Sequence, residues 1–162
     1  MKQIKIFIAS SSELKRERME LVDLMQDLNL EIKEKSIQFY SILWEYMDSS
    51  MRAARKEDEY LEELRESEIC IVLFWQTLGE YTVEELNVAV DEMKTGRLPK
   101  KVYVFYKEPT ENITEELVRF KEKFIEQYEL YPNSFDNAQT LRKQTENILK
   151  QYINFKDRTA NE

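Results

Sequence analysis

The sequence predicts an α/β domain in three layers, a central, mostly parallel sheet of about five strands with helices on both faces. Three observations lead there: apolar runs of strand length, helical-period segments alternating with them, and short connections between the two. At 162 residues the chain has the size of one domain, taken here as 1–162 with its core at about 4–155. A chain of that length can bury roughly 70% of its unfolded surface.

The first run, Gln3-Ile4-Lys5-Ile6-Phe7-Ile8-Ala9, alternates and then turns wholly apolar, as a strand entering the middle of a sheet does. It ends at Ser10-Ser11-Ser12-Glu13. Ser10 and Glu13 have capping-box spacing, and Leu14, Leu21, Val22, Met25 and Leu28 then follow on one helical face. Residues 37–44 form a second strand, and the polar stretch 45–56 reads as a long loop. A short helix within 57–68 turns Tyr60, Leu61 and Leu64 inward, and 69–75 is the clearest buried strand.

The stretch Thr82-Val83-Glu84-Glu85 starts the next helix, with Leu86, Ala89, Val90 and Met93 on its apolar face and Gly96 as its stop. Residues 102–106 form a strand closed by Pro109, and 114–128 a helix through Leu117, Phe120, Lys121 and Phe124. A weak strand near Glu129-Leu130-Tyr131 precedes Asp136-Asn137-Ala138, which opens a last helix running to about Phe155. The architecture is a flavodoxin-like sandwich. Ligands of such sheets sit outside the carboxyl ends of the strands, at a topological switch point, which selects the loops after Ala9, Trp44 and Trp75.

Composition narrows the chemistry. The chain has no histidine, which removes Ser-His and Cys-His catalysis and most zinc sites, so no metal is expected. Gly79 and Gly96 are its two glycines, too few for a P-loop or a G-x-G-x-x-G fingerprint. A net charge of −8 argues against nonspecific nucleic-acid binding. Two basic runs, Lys15-Arg16-Glu17-Arg18 and Arg52-Ala53-Ala54-Arg55-Lys56, could meet phosphates but read first as solvated helix faces. No stretch approaches the ~20 apolar residues of a membrane span, so a cytoplasmic protein without membrane partners is expected. The lone Cys70 lies in an apolar run and reads as a buried structural thiol.

Three segments carry a resemblance. Ile6-Phe7-Ile8-Ala9-Ser10-Ser11 resembles the first strand and loop of TIR (Toll/interleukin-1 receptor) domains, and residues 60–72 resemble that family's second helix and third strand. Gly79-Glu80-Tyr81-Thr82-Val83-Glu84-Glu85-Leu86 is similar to the start of its third helix. In NAD-consuming TIR domains an aromatic residue, commonly Trp, stands four positions before a catalytic Glu. Here Tyr81 stands four before Glu85, a departure that leaves the nicotinamide-side contacts less defined than the acid.

The resemblance implies cleavage of the nicotinamide-ribose bond of NAD+, which is substrate and not cofactor, to nicotinamide and linear or cyclic ADP-ribose, with bacterial immune signalling as a setting. Glu85 would be the catalytic carboxylate, Tyr81 would stack on the nicotinamide or ribose, and Ser10, Ser11 and Trp44 would complete the substrate site. A carboxylate stabilises an oxocarbenium-like centre or traps it covalently, and nicotinamide departs neutral from a pyridinium, so one acid can suffice. The stretch 45–56 matches the TIR loop used for self-association or for binding other TIR domains.

Plainer readings stand beside these. Thr82 and Glu85 also have capping-box spacing, Ser10 reads as a helix cap, Tyr81 as a surface aromatic, and Trp44 and Trp75 as packing at strand ends. A non-enzymatic TIR scaffold and a nucleoside 2-deoxyribosyltransferase-like enzyme are the competing functions. The latter family's glycine-containing, Asp-rich loops are missing here.

Overall fold

In the computed structural model the five strands form one all-parallel sheet in the order β2-β1-β3-β4-β5. The structure describes residues 1–44, 53–108 and 111–160, without the side chains of 53–56 and 155–160. Residues 45–52 of the expected self-association loop, Pro109, and the side chains of the second basic run therefore lie outside the described residues.

The strands are β1 (Lys2–Ser10), β2 (Ile37–Ile42), β3 (Ile69–Phe74), β4 (Lys101–Lys107) and β5 (Asn133–Phe135). Between and after them run α1 (Lys15–Glu31), α2 (Ala53–Arg65), α3 (Glu80–Lys94), α4 (Glu115–Tyr128) and α5 (Ala138–Ala160). Side-chain alternation splits each central strand between two cores. Ile4, Ile6, Ile8, Ile69, Ile71, Leu73 and Phe105 pack under α1 and α5, whereas Phe7, Ala9, Cys70, Val72, Phe74, Val104 and Tyr106 pack under α2, α3 and α4. Burial on both faces is why β3 is apolar at every position. Arg142 of α5 also reaches across to Glu20, Asp23 and Asp27 of α1, with N–O distances of 3.2, 2.8 and 2.5 Å.

Several boundaries move, each for a local reason. Ser10 is not a helix cap: residues Ser12–Leu14 form a 3-10 turn and α1 starts at Lys15. Glu13 instead accepts backbone hydrogen bonds from Gln76 (2.9 Å) and Thr77 (3.2 Å), tying the loop after β1 to the loop after β3. Helix α2 begins at Ala53, inside the stretch expected to be loop. The last strand lies at Asn133–Phe135, because Glu129 takes a left-handed conformation that ends α4 and delays the pairing with β4. Gly96, at φ +80°, stops α3 as expected.

Phe7 is fully buried, with its ring 4.2 Å from that of Tyr60. Phe7→Ala should cost about 3–5 kcal/mol in urea unfolding, since the cavity it leaves sits between the central strand and α2.

Candidate active site

The sheet order reverses at β1. The connection from β1 leaves toward the α1 face and that from β3 toward the α3 face, which opens a cleft at the carboxyl ends of the strands. A cavity of about 340 Å³ occupies it, a size usual for a small-molecule site. Glu85, Tyr81, Ser10, Ser11 and Trp44 all line it, so the tertiary structure brings together every site residue expected from the sequence. Trp75 does not line it; its ring lies 4.0 Å from Lys107 Nζ instead.

Helix α3 delivers the acid. It starts at Glu80, two residues earlier than the sequence pattern suggested, with Gly79 as its N-cap and no side-chain cap. Thr82 is thus already inside the helix, and the Thr82-Glu85 capping box does not form. Glu85 is 4% exposed. A Cβ on Gly79 would stand 2.9 Å from Thr82 Oγ1 and 3.6 Å from Ser11 Cβ, so glycine lets the helix start close against the β1 loop.

The sequence reading missed three lining residues of consequence. Arg18, expected on a solvated face, is 6% exposed. Its Nη1 donates to Ser10 Oγ (2.5 Å) and to the Ser11 carbonyl (2.8 Å), which braces the loop and sets a guanidinium in the cavity wall. Tyr60 donates to the Ile8 carbonyl at 2.8 Å and meets Trp44 edge-on at 5.5 Å. Glu57, one turn before Tyr60 on α2, is 5% exposed with both carboxyl oxygens buried and no hydrogen-bond partner among the described residues. The i, i+3 spacing of Glu57 and Tyr60 was the available signal. The acidity of the surrounding stretch hid it.

Tyr81 is half exposed and stacks on Trp44, with ring centroids 6.5 Å apart and planes 17° from parallel, which makes an aromatic wall. Ser11 Oγ is buried without a partner among the described residues. Ser11 and Glu57 therefore offer a ligand polar atoms that no described residue engages.

Electrostatics single out the two acids. Burial, reinforced by the charges of Glu57 and Glu84, pushes Glu85 up to about 9. Burial and then the charges of Glu84 and Asp58 push Glu57 up to about 7. Burial, with Glu85 adding to it, raises the Cys70 thiol, which keeps that sulfur protonated and unreactive. Among the described residues no group of three or more His, Cys, Asp and Glu could hold a metal ion. No helix among them is long and apolar enough to cross a membrane.

A carboxyl whose pKa is raised by folding holds its proton more tightly in the folded state. It therefore subtracts stability as pH rises from its unfolded value toward its folded one. Glu57→Gln should raise the melting temperature at pH 8 by several degrees, and the gain should vanish by pH 4–5 as the wild-type acid becomes protonated in both states. Thermal melts at the two pH values check this.

No family model and no curated protein matches the chain. Among solved structures it is similar to homoserine dehydrogenase from S. aureus, at 14% identity and a TM-score of 0.44, over 83% of this chain and 33% of that one. It is also similar to RosB with a bound 8-demethyl-8-formylriboflavin-5'-phosphate intermediate, at 13% identity and a TM-score of 0.34, over 85% of this chain and 63% of that one. The chain thus spans a third of the dehydrogenase and under two thirds of RosB.

Proposed function

We propose that this cavity binds NAD+ and cleaves its nicotinamide-ribose bond, in the manner of the NAD-consuming TIR domains that the sequence resembles. The observation that carries the reading is Glu85: a buried carboxyl in a ligand-sized cavity, at a helix start where no side-chain cap accounts for it. The cavity suits the nicotinamide-ribose end, and the adenylate end would extend outward past Ser12 and Glu80 at its exposed rim.

In this reading Tyr81 and Trp44 flank the flat ring, and Arg18 with the open N-terminus of α3 faces the phosphates. As the C1′–N bond lengthens, positive charge builds on the ribose and Glu85 stabilises or captures it. Nicotinamide leaves with the bonding electron pair, neutral and needing no proton. Water, or a nitrogen of the adenine in the cyclising branch, then closes on C1′ and releases one proton.

The pyridinium charge also resolves a conflict within the site. A carboxyl raised as far as Glu85 is protonated in the empty cavity at neutral pH, and a bound cation favours its ionised form.

The test is NAD+ consumption with product identification, by wild type and Glu85→Ala, at high protein concentration or on a clustering support, with folding checked by melting. Nicotinamide release should fall by at least ~10²-fold in the variant. The wild-type kcat/KM should climb as pH rises from about 7 to about 9, because Glu85 must lose its proton to act. Clustered, folded wild type that leaves NAD+ intact would move the function to the scaffold reading.

A further inference from the structure

One acid in the cavity has no task in the reaction just described. Glu57 lines the same space as Glu85, is 5% exposed, and has neither carboxyl oxygen in contact with solvent or with a donor among the described residues. Its place is anchored: Tyr60, one turn along α2, is tied to the β1 backbone at 2.8 Å. A carboxyl desolvated without a donor is costly to ionise, so a fold that only needed to fill this position would be better served by an apolar side chain.

The groups around it favour a shared proton. From α3 come Glu85, Glu84 and the cavity-lining Glu80, and from α2 itself Asp58, all acidic. Among the described residues Arg18 of α1 is the one cation in the lining, and it donates to Ser10 and Ser11. Two carboxyls lining one cavity, with the charge of Glu57 opposing ionisation of Glu85, do not both ionise easily, and the pair loses its protons in two steps that belong to it jointly.

We propose that Glu57 is a second catalytic carboxyl, the proton donor to the leaving group, and that the cavity therefore also cleaves N-ribosidic bonds of uncharged nucleobases. The inference rests on the glycosidic reading of the site and widens its substrate class. An uncharged purine, unlike nicotinamide, departs poorly as an anion and must be protonated as it leaves. Glu85 holds its proton more tightly than Glu57 in the empty cavity, and the positive charge that develops at C1′ beside Glu85 reverses that order and leaves the shared proton on Glu57. The C1′–N bond breaks with its electron pair going to the base, and the Glu57 proton goes to a base nitrogen. Water gives its oxygen to C1′ and a proton back to Glu57, so riboside and water become ribose and free base.

The experiment compares NAD+, adenosine, adenosine 5′-monophosphate and a p-nitrophenyl riboside, whose leaving group needs no proton, with clustered wild type and Glu57→Gln. Wild type should release adenine. In Glu57→Gln the ratio of adenine release to nitrophenol release should fall by ~10²-fold or more, and NAD+ cleavage should follow the nitrophenyl substrate. Wild type carries the same information without a substitution. Its adenine release should be bell-shaped in pH, declining above about 9 where the pair loses its last proton, while nitrophenol release does not decline there.

Cleavage of NAD+ with no adenine release overturns this proposal and leaves the NAD+ reading standing. So does an equal slowing of every substrate in Glu57→Gln with a flat alkaline profile in wild type. Adenine release with NAD+ left intact does the reverse, and failure on all four substrates removes both.

Discussion

The structure depends on β1 being the strand at which the sheet changes direction. With β2 on one side and β3 on the other, β1 is buried on both faces, and the chains leaving β1 and β3 are sent to opposite sides of the sheet. Helix N-termini and loop ends then converge over strand ends that no helix covers. The Glu13 carboxylate fastens the two loops there by accepting the amides of Gln76 and Thr77. Gly79 lets α3 begin against the β1 loop, close enough for Glu85, one and a half turns on, to reach the same cavity.

Electrostatics in that cavity run against the stability of the fold. Two buried carboxyls sit there, Glu57 with no hydrogen-bond donor among the described residues, and the acidic neighbours Glu84 and Asp58 make ionisation harder still. Arg18, the buried cation, spends donors on Ser10 and the Ser11 carbonyl. A site so arranged favours a positively charged ligand, and a transition state that gains positive charge more than its ground state does. Stability is given up where unpaired polar groups can serve a ligand, which is how perturbed acids come to mark functional sites.

Much of the fold was legible as pattern. Period-2 alternation in 3–9, the wholly apolar 69–74 and the i, i+3, i+4, i+7 spacing of Leu86, Ala89, Val90 and Met93 each report a burial that the strand or helix period imposes on the sequence. Caps were read less well. Ser10-Glu13 and Thr82-Glu85 have the spacing of a capping box, yet the first is displaced by a 3-10 turn and the second lies inside a helix that starts earlier. A capping box contributes only about 1 kcal/mol, and a loop tied down by Arg18 and Glu13 easily overrides it.

By itself the sequence determined the α/β alternation and the two-sided burial of the central strands, because periodicity is a property of neighbours along the chain, and its resemblance to TIR domains implied the candidates Ser10, Ser11, Trp44, Tyr81 and Glu85. Only the tertiary structure decided that these five line one cavity, that Arg18 is buried and not solvated, and that Glu57 lines the cavity with Glu85 without a hydrogen-bond partner among the described residues. Those facts depend on how α1, α2 and α3 are set over the ends of β1 and β3. Desolvation and charge coupling between residues 28 positions apart have no signature in the order of the residues.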